Sequence, residues 1–117
     1  MQDFTDKLVV ITGAASGVGR SLAIAMAEAG ARVLAADIDE AGLKETKAAL
    51  DATGAISYIR TCDVTSQESV NALALQAFDD LGGAHLVFAN AGIAAGEAGP
   101  LWGYSESDWK WCFEVNL

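Results

Sequence analysis

The chain has 117 residues, of which 52% are hydrophobic and 20% charged, so its composition is that of a folded domain and not of a disordered tail. Sixteen acidic against seven basic side chains give a formal net charge of −9, which argues against a nucleic-acid partner, because phosphate contacts need clustered Lys and Arg. The longest segment without Asp, Glu, Lys or Arg, residues 81–96, contains His85, Asn90 and several glycines, so no membrane span is predicted.

The first predicted elements are a strand, a glycine-rich turn and a helix. Residues 8–11 form a short, β-branched apolar run that predicts a buried strand. Helical spacing predicts a helix over residues 20–29, which Gly30 is placed to end. Its apolar face is expected to consist of Val18, Leu22, Ala25, Met26 and Ala29.

A second strand and helix follow. Residues 32–37 form an apolar run that ends in Asp37, which predicts another buried strand. Asp39 is expected to cap a helix that runs to about Ala52, with Leu43 and Leu50 directed inward.

The same alternation continues along the rest of the chain. Residues 56–60 and 86–89 predict a third and a fourth strand, and Ser105 begins a last helical pattern. Between these strands, Thr65-Ser66-Gln67-Glu68 is a capping-box pattern that predicts a helix start. The inward face of that helix is expected to be Val70, Leu73, Ala74, Ala77, Phe78 and Leu81. Strands that alternate with helices indicate an α/β fold in which right-handed crossovers join parallel strands.

The turn after the first strand carries three glycines, Gly13, Gly17 and Gly19. Glycines at a strand-to-helix turn let backbone N–H groups approach a pyrophosphate, and the helix N-terminus adds the positive end of its dipole. A tight turn with close packing of helix on strand, and no ligand, explains the same glycines.

Asp37 favours the ligand interpretation. It lies eighteen residues after Gly19, at the end of the second strand, where a carboxylate accepts hydrogen bonds from the 2′- and 3′-hydroxyls of an adenosine ribose. A 2′-phosphate would meet a like charge there, and neither Ile38 nor Ser16 compensates it. The sequence therefore predicts NAD in preference to NADP.

Four ordered motifs resemble those of the short-chain dehydrogenases/reductases. The run Thr12-Gly13-x-x-x-Gly17-x-Gly19 is similar to the cofactor motif of that family, and Asp63-Val64 is similar to its adenine-contacting pair. Asn90-Ala91-Gly92 matches its Asn-Ala-Gly motif, although Ala89 stands where many members carry a second Asn. Trp109, Phe113 and Val115-Asn116-Leu117 resemble the helix that carries the asparagine of the catalytic tetrad.

The resemblance implies a Rossmann-type fold, a three-layer, doubly wound parallel sheet with strand order 3-2-1-4. The sheet is expected to be cut after the fourth strand. Residues 1–117 would then be the N-terminal part of a single NAD-binding domain. It implies one catalytic residue in this chain, Asn116, and no metal. The implied cofactor-binding residues are Gly13, Ser16, Gly17, Val18, Gly19, Asp37, Ile38, Asp63, Val64, Asn90, Ala91 and Gly92.

Three of these residues have simpler explanations. Asp63 would also serve as a cap for the helix that follows, and Asn90 would hold the end of a strand through backbone hydrogen bonds. Asn116 would be a buried asparagine satisfied by local backbone. His85 has no acidic or cysteine partner nearby in the sequence, so it is interpreted as a surface or turn histidine.

The family's Tyr-x-x-x-Lys pair, which transfers a proton during hydride exchange with a secondary alcohol or ketone, has no match here. At that spacing Tyr58 is followed by Cys62, and Tyr104 by Asp108. We expect the catalytic Ser, Tyr and Lys beyond Leu117, and the chain to be an N-terminal portion that is inactive alone. The alternative is a non-catalytic nucleotide-binding or self-associating half-domain.

Two further expectations concern the cell. Cys62 and Cys112 fit no metal-binding spacing and suggest reduced thiols, and the first residues lack the basic start and apolar run of a signal peptide, so a cytoplasmic location is predicted. The resemblance implies a homo-oligomer.

Overall fold

A computed structural model describes residues 4–91, in which strands and helices alternate. The strands are β1 (Leu8–Thr12), β2 (Arg32–Asp37), β3 (Ser57–Thr61) and β4 (Leu86–Phe88). The helices are α1 (Gly17–Glu28), α2 (Glu40–Ala52) and α3 (Gln67–Leu75), and a π-helical turn (Gln76–Asp80) continues α3.

The four strands form one parallel sheet in the order β3-β2-β1-β4. This order confirms the predicted one and places β1 in the middle, with Val10 opposite Leu34 of β2 and Val87 of β4. Because the strands are parallel, their carboxyl ends lie at one edge of the sheet, and the segments that leave them meet there.

Both faces of the sheet are covered, which explains why the strands are continuously apolar. Val9, Ile11 and Val33 are fully buried on the face that α1 and α2 cover. Leu8, Val10 and Leu34 lie on the other face, with Leu73 and Ala77 of α3 and the π turn.

The buried face of α1 differs from the expected one. Its buried residues are small: Gly19, Ala23 and Ala27. Val18 is 68% exposed, and Leu22 and Met26 pack only partly against the core. Small side chains let the helix backbone lie close to the sheet, so the larger residues flank the contact instead of making it.

The start of α3 also differs from the sequence prediction. The hydroxyl of Ser66, not that of Thr65, accepts the hydrogen bond from the N–H of Ser69. The Thr65 hydroxyl donates to Asp63. Of the predicted inward face only Leu73 and Ala77 are buried, and Phe78 is 61% exposed.

The remaining differences are small shifts of boundaries. The first helix begins at Gly17, three residues earlier than predicted, and β3 begins one residue later. The predicted cap of α2 is confirmed, since Asp39 Oδ1 accepts the N–H of Gly42 at 3.0 Å. The helix predicted from Ser105 lies outside the described residues. Among residues 4–91, no helix is both long and apolar enough to cross a membrane.

Candidate functional site

The residues singled out in the sequence converge at the carboxyl edge of the sheet. The glycine-rich turn leaves β1, Asp37 ends β2, and Asp63 and Asn90 follow β3 and β4. In open α/β sheets, ligands bind in the crevice outside this edge, where the strand order changes direction. The change occurs here between β1 and β4.

The three glycines of the turn differ in what a side chain at each position would meet. Gly13 has φ +69°, and a Cβ there would lie 2.9 Å from the Cα of Ala91. Gly19 does not have a positive φ, but a Cβ on it would lie 2.0 Å from the carbonyl oxygen of Gly13. Gly17 has φ +55°, and a Cβ there would have nothing within 4 Å. Gly13 and Gly19 therefore serve packing, whereas Gly17 faces open space.

The N-terminus of α1 is available to an anion. Ser16 is the N-cap residue, yet its side chain makes no capping hydrogen bond, and the first turn contains no acidic residue. Ser16, Gly17 and Val18 are exposed. The first N–H groups of a helix have no partner within the helix and carry the positive end of its dipole, so they favour a phosphate at this position.

Asp37 is tied to the same turn. Its Oδ2 accepts the N–H of Ala15 at 2.9 Å, and its Oδ1 accepts the N–H of Asp39 at 3.0 Å. Each carboxylate oxygen accepts two hydrogen bonds, so both retain capacity for a further donor such as a ribose hydroxyl. Ile38 beside it is 67% exposed and offers an apolar surface.

Asp63 organises the turn before α3. Its Oδ1 accepts both the N–H of Thr65 at 2.9 Å and the Thr65 hydroxyl at 2.7 Å, and these two hydrogen bonds lower the pKa of the Asp63 carboxyl below its usual range. Its own N–H donates to Ser69 Oγ at 2.9 Å. Ser66 is the residue that caps α3, so the interpretation of Asp63 as the helix cap is wrong. Val64, beside it, is half-buried.

Asn90 links the ends of β4 and β1. Its Nδ2 donates to the carbonyls of Thr12 at 3.3 Å and Gly13 at 3.4 Å, while the N–H of Ala91 donates to Thr12 Oγ1 at 3.1 Å. The strand-holding role foreseen for Asn90 is therefore present in the structure. These contacts also place Asn90 and Ala91 directly against the glycine-rich turn.

Two contributors to the site, Arg20 and Thr46, were not foreseen from the sequence, and Thr12 was foreseen only as the first residue of the cofactor motif. The hydroxyl of Thr12 accepts the N–H of Ala91, and Arg20 and Thr46 hold carbonyls of the glycine-rich turn. The motif and the polar type of Thr12 at the end of an apolar strand are the local signals for this residue. Nothing in the spacing of Arg20 and Thr46, on different helices, indicated that they meet.

His85 lies away from this edge. It is exposed, its Nδ1 accepts the N–H of Leu8 at 3.0 Å, and its own N–H donates to the Leu8 carbonyl at 2.9 Å. These contacts match a turn histidine that aligns the start of β4 with β1. Within residues 4–91, no three His, Cys, Asp or Glu side chains are grouped to hold a metal ion. Gly92 and Asn116 lie outside the described residues.

A family model for short chain dehydrogenases matches residues 7–117 of this sequence. The chain belongs to the short-chain dehydrogenase family. The predicted family and the predicted Rossmann-type fold are thereby confirmed.

The chain is 39% identical over 117 residues to a CLA biosynthesis dehydrogenase/reductase of Lactiplantibacillus plantarum, and this match covers 100% of the chain and 40% of that relative. The structure of a short chain dehydrogenase/reductase from Burkholderia phymatum in complex with NAD shares 44% identity and a TM-score of 0.91, over 100% of this chain and 41% of that one. The structure of NAD⁺-bound xylitol dehydrogenase shares 28% identity with this chain at a TM-score of 0.93. That match covers 99% of this chain and 44% of the xylitol dehydrogenase chain. The chain thus spans about two fifths of the length of these proteins.

Proposed function

We propose that this chain is the N-terminal NAD-binding portion of a short-chain dehydrogenase/reductase that exchanges hydride between NAD(H) and a secondary alcohol or ketone. The observation that carries the proposal is the hydrogen bond between Asp37 and Ala15. It ties the carboxylate that would accept the ribose hydroxyls to the turn that leads into α1, whose N-cap side chain makes no capping hydrogen bond. Two of the similar structures are complexes with NAD.

The residues at the sheet edge fit a dinucleotide. The exposed Ser16 hydroxyl and the N–H groups from Gly17 to Gly19 would bind the pyrophosphate, and Asp37 would accept the ribose hydroxyls. The residues that would line the adenine-to-nicotinamide cleft are Ile38, Asp63, Val64, Asn90, Ala91 and Gly92. When bound, NAD supplies the acceptor or donor of the hydride.

Charge supports NAD in preference to NADP. Within residues 4–91, no Lys or Arg forms an ion pair with Asp37, and Asp39 and Glu40 follow it closely. A 2′-phosphate would therefore approach several carboxylates without a cation to offset them. NAD carries a free 2′-hydroxyl at this position, which donates to a carboxylate.

The proton transfer requires groups that the motifs of this chain do not supply. The family pair Tyr-x-x-x-Lys has no match in the 117 residues. We therefore assign cofactor binding to this chain and catalysis to the whole protein. Asn116 would be the one catalytic residue that this chain contributes. Purified alone, the chain is expected to show no NAD-dependent oxidation of secondary alcohols, followed by the absorbance of NADH. Turnover by the chain alone would contradict this division.

A nucleotide-binding module without catalysis is the second candidate, and the absence of Tyr-x-x-x-Lys favours it. The reading frame downstream of Leu117 separates the two: a Ser and a Tyr-x-x-x-Lys support the enzyme, and a stop codon supports the module. A cytoplasmic location and a homo-oligomeric state belong to the enzyme proposal. Cys62, buried and free, is consistent with a reducing compartment.

Calorimetric titration of the 117-residue chain tests the cofactor assignment. Wild type is expected to bind NAD⁺ at least about tenfold more tightly than NADP⁺, because hydrogen bonds to a charged group contribute roughly 1.5–3 kcal/mol. Asp37→Asn keeps one oxygen acceptor for the turn but loses the charge, so affinity for NAD⁺ should fall about tenfold. Affinity for NADP⁺ should stay the same or rise, because one of the carboxylates that repel the 2′-phosphate is removed. Asp51→Asn, which alters an exposed carboxylate of α2 away from the site, is the control and should change neither. Equal losses for both cofactors would refute the ribose assignment.

A further inference from the structure

The residues Ala14 and Ala15, between Gly13 and the start of α1, have all of their backbone polar atoms paired inside the protein. Two of these bonds go to β2: the N–H of Ala14 donates to the Ala36 carbonyl at 3.1 Å, and the N–H of Ala15 donates to Asp37 Oδ2 at 2.9 Å. Both N–H groups are therefore occupied, and neither is offered to a phosphate.

The other two bonds come from side chains on the helices. The hydroxyl of Thr46, on α2, donates to the Ala14 carbonyl at 2.7 Å, and Arg20 Nη2 donates to the Ala15 carbonyl. The two side chains also meet each other, since Arg20 Nε donates to Thr46 Oγ1 at 2.9 Å. Thr46 is fully buried, so its hydroxyl has no water to replace these partners.

The guanidinium of Arg20 is anchored on α2 as well. Its Nη2 donates to the Gly42 carbonyl at 3.1 Å and to Glu45 Oε2 at 3.1 Å. Arg20 is the residue after Gly19, so a side chain from the first turns of α1 connects the preceding turn to a neighbouring helix. Arginine makes these contacts through two nitrogens, Nε toward Thr46 and Nη2 toward the turn and α2, whereas lysine has one nitrogen.

We propose that Arg20 and Thr46 are positioning residues that hold the phosphate-binding turn. The inference rests on the proposed function for its ligand, but its structural part stands on the contacts above. By fixing the carbonyls of Ala14 and Ala15, the pair sets the distance between Asp37 and the N-terminus of α1. Phosphate is then left to the N–H groups of Gly17, Val18 and Gly19.

The test compares Arg20→Met with Lys47→Met in the full 117-residue chain. Lys47 is a matched control on α2: its Nζ contacts Asp51 at 2.7 Å and the Ser57 carbonyl and hydroxyl at 3.0 and 2.9 Å, and it does not touch the turn. The first measurement, without ligand, is the hydrogen exchange of the Ala15 amide. We expect exchange at least about tenfold faster in Arg20→Met than in Lys47→Met, because only the former releases the turn.

The second measurement is the affinity for ADP-ribose and for adenosine, by NMR titration under conditions where each variant is folded. Arg20→Met should weaken ADP-ribose about tenfold and leave adenosine within about twofold, because adenosine lacks the pyrophosphate. A loss of stability alone would not separate the two ligands. Thr46→Ser keeps the hydroxyl and should bind both ligands as wild type does. Thr46→Val loses the hydroxyl and should weaken ADP-ribose but not adenosine, as Arg20→Met does.

The outcomes separate the two proposals. If wild type binds neither ADP-ribose nor NAD⁺, the proposed function fails, and the exchange of the Ala15 amide alone decides the role of Arg20. If Arg20→Met and Lys47→Met show the same exchange, the positioning role is overturned. Equal losses for ADP-ribose and adenosine, or a Thr46→Val variant that binds like wild type, would overturn it as well.

Discussion

Replacing Gly19 with alanine introduces a methyl group where the structure has backbone atoms of the preceding turn. The new Cβ would lie 2.0 Å from the carbonyl oxygen of Gly13, 2.6 Å from its carbonyl carbon and 2.7 Å from Asn90 Nδ2. Ordinary van der Waals contact begins at 3.4 Å, so the Gly13 carbonyl and α1 must separate by roughly 1.4 Å. Backbone atoms cannot yield by changing a rotamer, so the turn itself has to move.

The expected net loss of stability follows from two opposed contributions. Alanine is favoured over glycine within a helix by roughly 1 kcal/mol. Overpacking that forces backbone shifts costs roughly 1–3 kcal/mol and occasionally more, and a contact this short belongs at the upper end. The free energy of unfolding of Gly19→Ala is therefore expected to fall by about 1–2 kcal/mol, in spite of the better helix propensity.

Gly54→Ala provides a control with a similar loss of stability. Gly54 has φ +79° and open space around it, so alanine there costs about 1–2 kcal/mol in backbone strain without any clash. Urea unfolding followed by circular dichroism measures both losses, and titration with ADP-ribose measures binding. Only Gly19→Ala should weaken binding, because only its clash displaces the turn. A Gly19→Ala variant with the stability and affinity of wild type would refute the reasoning.

Three further predictions concern stability and are measured by urea unfolding. Ser66→Ala should lower the free energy of unfolding by about 1 kcal/mol, because it removes the cap of α3. Leu50→Ala should lower the free energy of unfolding by about 2–5 kcal/mol, since Leu50 is fully buried. A loss below about 1 kcal/mol, as small as that of a surface substitution, would contradict the place of Leu50 in the core. The hydrogen bond from Lys47 lowers the pKa of the Asp51 carboxyl below 3.8. The stabilising effect of this ionised carboxylate is therefore present above about pH 4 and is lost as the pH falls through the pKa of Asp51 in the folded state. The difference in urea midpoint between wild type and Asp51→Asn should accordingly shrink between about pH 6 and pH 3.

The strand order, and the edge of the sheet at which the site residues lie, could be predicted because both depend on local sequence patterns. Short apolar runs such as residues 32–37 and the cap at Asp39 identify the elements, and the handedness of crossovers then leaves few topologies. The position of Asp37 beside the glycine-rich turn follows from the same topology, because Ala36 of β2 lies opposite Thr12 of β1.

Contacts between elements could not be predicted in the same way. Arg20 and Thr46 are 26 positions apart, and neither residue has a local pattern that indicates the other. The capping-box pattern begins at Thr65, but Ser66 caps α3, and the pattern does not indicate that the Thr65 hydroxyl donates to Asp63. In the same way, helical spacing could not show that small residues and not large ones face the sheet, because that preference comes from how close the two backbones lie.

The small-residue face of α1 bears on how binding sites of this kind diverge during evolution. Gly19 and Ala27 are eight residues apart, about 12 Å along the helix. A larger side chain at Ala27 is expected to lift that end of the helix from the sheet and tilt its N-terminus, so nucleotide affinity should depend on a buried position at the opposite end of the helix. A glycine motif transplanted into another α/β protein would accordingly carry little affinity unless the recipient helix also presented small residues at the positions of Ala23 and Ala27.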